Sequence, residues 1–236
     1  MHNKLKAARL AACWLALSLA GVAIAQVLPP PQNVLQLSAS GTVEVQQDLL
    51  SLVLTTTREG SDPNVVQTQL KVALDAALTE ARKAVAPGQL DVRTGNFGLY
   101  PRYEPAGKIG VWRGTAELVL EGRDFPRITQ TAARIQTMTL GGVSFGLSRE
   151  QRAKVEGEAQ SIAIERFKAK ASDLAKGFGF SGYGLREVAV NSNDQGFVPR
   201  QRLMEGQLAA AGSTPVPVEA GKSAVTVTVS GSVQLR

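Results

Sequence analysis

Two stretches near opposite ends of the chain alternate apolar and polar residues without a break, and that pattern permits only an extended backbone. In the first, Leu35, Leu37, Ala39, Gly41, Val43 and Val45 fall on one side, and Gln36, Ser38, Ser40, Thr42, Glu44 and Gln46 on the other. In the second, Val225, Val227, Val229, Gly231, Val233 and Leu235 are set against Thr226, Thr228, Ser230, Ser232 and Gln234. A period of two is that of a strand whose successive side chains point to opposite faces. Each stretch therefore predicts a half-buried strand, and the fold must cover one face of each.

Between them the punctuation changes to that of alternating strands and helices. Residues 49–58 read as a strand. Gly60-Ser61-Asp62-Pro63 then opens a helix, with Asp62 as N-cap and Pro63 in the first turn. Val66, Leu70, Leu74, Leu78 and Ala81 give that helix an apolar stripe to about residue 85, where Pro87-Gly88 ends it. Strands are expected over 90–103 and 109–121, a helix from Asp124 to about Met138, and a short strand over 143–147. From residue 49 the order is strand-helix-strand-strand-helix-strand, the split βαβ or ferredoxin-like arrangement. A long helix over 149–176 follows, with Val155, Ala159, Ile162, Ala163, Phe167, Ala171 and Leu174 as its stripe and Gly177 as its cap. Residues 185–191 read as a strand. Residues 193–222 lack periodicity and read as a flexible excursion. The expected class is α+β: a mixed or antiparallel sheet with a ferredoxin-like core, a long third helix and added N- and C-terminal strands.

The first 25 residues read as a leader rather than as structure. Lys4, Lys6 and Arg9 precede an apolar run over 10–24, and Ala23-Ile24-Ala25 has the small-x-small form of a cleavage site, so the expected cut lies between Ala25 and Gln26. Leu10-Ala11-Ala12-Cys13 also spells a lipobox, but its apolar stretch follows the cysteine instead of preceding it. The run is also shorter than the ~20 residues a spanning helix needs. Residues 26–236 are then one exported domain with no membrane span, and the periplasm is the expected compartment. Peripheral association with the envelope is compatible with this reading. Three of the 26 Lys and Arg and none of the 20 Asp and Glu lie in the leader, so the exported part carries 23 against 20, or +3 rather than +6. That balance supports no nucleic-acid partner.

His2 and Cys13 are the only histidine and cysteine, and both fall in the leader. The exported part thus has no thiol or imidazole, and neither a metal nor another cofactor is expected. Gly142-Val143-Ser144-Phe145-Gly146 matches the G-x-S-x-G pattern, but that motif needs a strand-to-helix turn and a base for its serine. Gly177-Phe178-Gly179-Phe180-Ser181-Gly182 matches G-x-G-x-x-G with its helix before it instead of after, so a helix cap is expected, with both phenylalanines packed. Neither motif assigns a catalytic residue. The remaining concentration of recognition chemistry is Phe97, Tyr100, Arg102, Tyr103, Trp112 and Arg113 around the central hairpin, with Lys108 nearby. These residue types suit a ligand groove or a subunit contact, or simply cover a sheet.

Several segments in consistent order resemble the SIMPL-domain family of exported bacterial proteins. They are Ser38-Ala39-Ser40-Gly41-Thr42-Val43-Glu44-Val45 with Asp48-Leu49, and Thr94-Gly95-Asn96 through Tyr100-Pro101-Arg102-Tyr103-Glu104. Gly142-Val143-Ser144-Phe145-Gly146-Leu147-Ser148 and Val225-Thr226-Val227-Thr228-Val229 complete the set. The resemblance implies an α+β fold, homo-oligomeric assembly and a link to envelope or oxidative-stress defence, with no catalytic site to carry over. The expected function is non-enzymatic and works through homo-oligomers. The alternative is a binding module for a peptide or small ligand at the hairpin around Tyr100 and Trp112.

Overall fold

The computed structural model describes residues 32–105, 107–192 and 215–236. The leader with its Ala25–Gln26 junction, and residues 193–214 of the expected excursion, lie outside them. The elements in chain order are β1 (Val34–Gln46), β2 (Leu49–Gly60), α1 (Pro63–Arg82), β3 (Asp91–Tyr103), β4 (Ile109–Gly122), α2 (Phe125–Arg134), β5 (Thr139–Gly146), α3 (Arg149–Gly177), β6 (Tyr183–Ser192) and β7 (Lys222–Leu235). The class is α+β.

The central six elements form the expected ferredoxin-like unit, a four-stranded antiparallel sheet in the order β3-β4-β2-β5. Alternation along the inner strands puts Leu50, Leu52, Leu54, Leu118 and Leu120 on one face, where they pack against Ala77 and Ala81 of α1 and Ile128 of α2. Both helices start where an aspartate can accept from an otherwise unpaired amide. Asp62 accepts from the Asn64 amide at 2.8 Å, and Asp124 from the Arg127 amide at 3.0 Å. The second helix ends at Arg134 instead of near Met138, because Ile135 and Met138 are drawn into the core as the backbone becomes extended. The following strand then starts at Thr139, earlier than the expected 143.

The two alternating termini pair with each other along their whole length, from Val34 opposite Gln234 to Gln46 opposite Lys222. With β6 they make a separate sheet, β1-β7-β6, so the added strands do not extend the ferredoxin-like one, and every pairing in both sheets is antiparallel. Its outer face is polar, with Ser40 and Thr42 hydrogen-bonded across to Thr228 and Thr226 at 3.0 Å. Its inner face is covered by α3, which buries Val155, Ala159, Ala163, Phe167, Ala171 and Ala175 at every fourth position. The approach is close. A Cβ on Gly41 would lie 2.7 Å from the Ala163 nitrogen and closer still to the Ala159 carbonyl oxygen.

Gly177 is the last residue of α3 and does not take the left-handed conformation expected of a cap; Gly179 does, at φ 84°. The difference moves one phenylalanine outward. Phe180 packs against the α3 core, whereas Phe178 is 63% exposed. The excursion also ends sooner than expected: β7 begins at Lys222, Val218 packs on the ferredoxin-like core, and the Gly221 carbonyl accepts from the Gln47 amide at 3.0 Å.

A polar cluster around Asp48 also ties the two units together. Asp48, in the turn between β1 and β2, accepts from the Ser148 amide at 2.7 Å and the Ser148 hydroxyl at 2.6 Å. Ser148 is buried and caps α3 by accepting from the Gln151 amide at 3.2 Å. Arg123, just past β4, reaches the same carboxylate at 3.5 Å.

Candidate functional site

The β3–β4 hairpin carries the recognition residues, but the pleat divides them between two faces. Phe97 opposes Ala116 and Pro101 opposes Trp112, both on the helix-covered side. There Trp112 packs with Val66 and Leu70 of α1, beside Ala116 and Leu99. Tyr100 opposes Arg113 on the other side. Its ring lies back over Gly98, where an added Cβ would meet the ring at 2.7 Å, and it remains 60% exposed. Arg102 and Arg113 converge on Glu59 of β2 at 3.5 and 3.6 Å. Tyr103 lies beyond a register shift and opposes Ile109 at the hairpin tip. The six residues therefore do not line one groove. Tyr100, Arg102 and Arg113 form one exposed patch with Glu59, whereas Trp112 packs with α1 and Phe97, on that same face, stays exposed.

That polar face of the four-stranded sheet is a lattice of matched charges. Arg93 stands 4.0 Å from Glu121, and the Glu117 carboxylate accepts from the Asn96 amide at 3.0 Å. Exposed pairs of this kind contribute little individually, so they specify the surface more than they stabilise the fold.

A second surface was not marked out by the sequence reading. In the β1-β7-β6 sheet, β1 and β6 are the outer strands among the described residues, and the two edges are treated differently. On β1 the outward carbonyls of Ser40 and Ser38 accept from Arg166 at 2.8 Å and Lys170 at 3.1 Å, both from α3. Cations over an edge are a standard means of preventing further pairing. On β6 the residues opposite Val233, Gly231 and Val229 are Leu185, Val188 and Val190, so their side chains share the helix-covered face. Because α3 runs over β1 and β7, they are left 57%, 45% and 46% exposed. The available signal was the spacing of Val188 and Val190 in a segment already legible as a strand. What could not be read was that the helix would stop short of it.

Neither sequence motif lies in the context its chemistry needs. Ser144 lies within β5, opposite Ser51, and no strand-to-helix turn presents it. The glycine-rich run from Gly177 follows α3 and leads into β6, so no helix N-terminus faces it. Among the described residues no three of His, Cys, Asp and Glu gather within reach of one metal ion, and no helix is long and apolar enough to cross a membrane.

Residues 35–233 match the family described as SIMPL, protein of unknown function (DUF541). The chain belongs to that family. The match runs from β1 to β7 and takes in both sheets and α3, so the family unit is the whole two-sheet arrangement. No curated protein matches the chain. Among solved structures, AtUAH in complex with glyoxylate is 13% identical with a TM-score of 0.24, covering 56% of this chain and 34% of that one. AtUAH in complex with (S)-hydroxyglycine is likewise 13% identical with a TM-score of 0.25, covering 55% and 34%. This SIMPL chain thus spans about a third of the length of those proteins.

Proposed function

We propose that this SIMPL chain is an exported, non-enzymatic protein of the periplasm that works as a homo-oligomer. The observation that carries the reading is the apolar row on β6, which α3 leaves open on a sheet whose other edge is guarded by Arg166 and Lys170. Uncovered apolar surface beside unpaired strand groups is what an assembling surface needs. Any part in envelope or oxidative-stress defence is then indirect, through assembly, because the residues after the leader carry no thiol or imidazole. Light scattering on the purified exported form, followed over a hundredfold range of concentration, should give a mass above that of one chain. A single-chain mass throughout would overturn the reading.

A second reading rests on the exposed patch of Tyr100, Arg102 and Arg113 around Glu59, which suits a small anionic or aromatic ligand or a peptide. Tyr100→Ala and Arg113→Ala should each weaken such binding while leaving the oligomeric mass unchanged. Equal binding by both variants would remove the patch from consideration.

A further inference from the structure

We propose that β6 is the seam between two copies of this chain, paired antiparallel about a two-fold axis that passes through Ala189. The proposal rests on the assembly reading above and names its contact. The carbonyls of Ser38 and Ser40 turn away from β7, so the odd-numbered residues of β1 exchange hydrogen bonds with β7. The Leu235 amide, which donates to the Asn33 carbonyl at 2.9 Å, fits that parity. The alternate residues of β7, among them Ser230 and Thr228, therefore serve β6 through Ala189 and Asn191. The main-chain groups of Leu185, Val188 and Val190 are left facing outward. These are the residues whose side chains α3 fails to cover, so one incoming strand satisfies both deficits at once.

The occupant follows from which edges remain. A head-to-tail join of β6 to β1 of another copy is obstructed by the Arg166 and Lys170 bonds along β1. In the other sheet, β3 is broken by two register shifts and Pro101, and β5 pairs through a shift beside Val53 and Leu54. Among the described residues the clean edge is β6 itself, and pairing it with its own copy closes the assembly at that seam.

Register follows from the same parity, since outward groups must meet outward groups. An axis at Val188 would set Val190 against the irregularity between Leu185 and Glu187, and an axis at Val190 would set Val188 against Ser192. An axis at Ala189 sets Val188 against Val190 twice on the apolar face and Glu187 against Asn191 twice on the polar one. No like charges meet. Ala189 then faces its own copy in a non-hydrogen-bonded pair, where Cα atoms lie about 4.5 Å apart, within the range a disulfide can span.

The test uses the full chain carrying Cys13→Ser, so that each added cysteine is the only one. Ala189→Cys, treated with oxidised glutathione at micromolar protein concentration, should convert mostly to a disulfide-linked dimer. Asn191→Cys should give less than about a tenth of that yield, because the two copies of that residue are about 13 Å apart at the strand rise. Mixed Glu187→Cys and Asn191→Cys proteins should cross-link to each other. Val190→Lys, added to Ala189→Cys, should lower the yield at least tenfold without lowering Tm. If light scattering shows an oligomer but Ala189→Cys links no better than Asn191→Cys, the seam is wrong and the assembly reading stands. A single-chain mass at every concentration overturns both.

Discussion

Gly41→Ala isolates the contact that lets α3 lie on the terminal sheet. The added methyl would sit 2.7 Å from the Ala163 nitrogen and 3.0 Å from the Ile162 Cβ, and closer still to the Ala159 carbonyl, where ordinary contacts are 3.4–4 Å. Two of those three atoms are helix backbone, so no rotamer change relieves the overlap. α3 must lift, and its buried row from Val155 to Ala175 lifts with it. A radial gap of about 0.5–1 Å forfeits a quarter to a half of each dispersion contact along that row. Overpacking costs about 1–3 kcal/mol, and a clash with backbone belongs at the upper end. At about 2–4 °C per kcal/mol for a chain of this size, Gly41→Ala should lower Tm by about 6–12 °C. Gly157→Ala is the matched control: it lies exposed inside α3, and nothing stands within 4 Å of its added Cβ. Helix propensity alone should raise stability there by about 1 kcal/mol. Circular dichroism during heating and in urea measures both. A Gly41→Ala protein that melts within about 2 °C of the parent, on the same scale, would refute the close-approach argument.

Three other perturbations test separate joints. Asp48→Ala strands the amide and hydroxyl of buried Ser148 and should cost about 1–3 kcal/mol, with faster hydrogen exchange in the first turn of α3. Asp124 titrates below its ordinary 3.8 because it accepts first from the Arg127 amide and then from that side chain. A carboxylate with a depressed folded pKa stabilises fully above its unfolded value and loses that contribution as pH falls through the folded one. The stability gap between the parent and Asp124→Asn should therefore narrow below about pH 4; a gap constant from pH 7 to pH 2 would contradict it. Trp112→Ala should cost about 2 kcal/mol or more, since a partly buried indole leaves its contact with Val66 and Leu70, whereas Tyr100→Ala should stay within about 0.5 kcal/mol. Equal losses in urea titrations would mean that the two do not lie on opposite faces.

Elements with one dominant local signal were legible before any coordinates. The period of two at Leu35–Val45 and Val225–Leu235, and the Asp-Pro starts of α1 and α2, needed no tertiary information. Alternation along the 109–121 segment sets Trp112 on the same face as Gly114, Ala116, Leu118 and Leu120, and the structure has it there. Tyr100 and Arg113 are close to Trp112 along the hairpin but lie on the opposite face, since adjacent strand positions alternate between faces. The exposed row on β6 was illegible. Its exposure depends on where α3 ends its contact with the sheet, a property of two elements together. The misplaced cap at Gly177 is a smaller case: the helix had one more glycine available two residues on, and only backbone geometry distinguishes Gly177 from Gly179.

Several of the residues that carry the family resemblance are joints of the molecule: Gly41 admits α3 to the sheet and Asp48 holds Ser148. Gly231, just beyond the last of those segments, lies where an added Cβ would stand 3.1 Å from the Val188 Cα in β6. Thr226 and Thr228 knit the termini across the outer face. These side chains and glycines are engaged in holding elements together, whereas Tyr100 and Arg102, which carry the resemblance too, are exposed. The groups left unengaged are those the joints position but do not use: the open edge of β6 and the Tyr100 patch. Gly231 also connects the two observations. By admitting the β6 backbone at the irregularity between Leu185 and Glu187, it sets the parity of everything after it and so turns Val188 and Val190 to the apolar face. A side chain at that glycine should disturb the proposed β6 seam before it disturbs the ferredoxin-like core, and the Ala189→Cys cross-link would register that order.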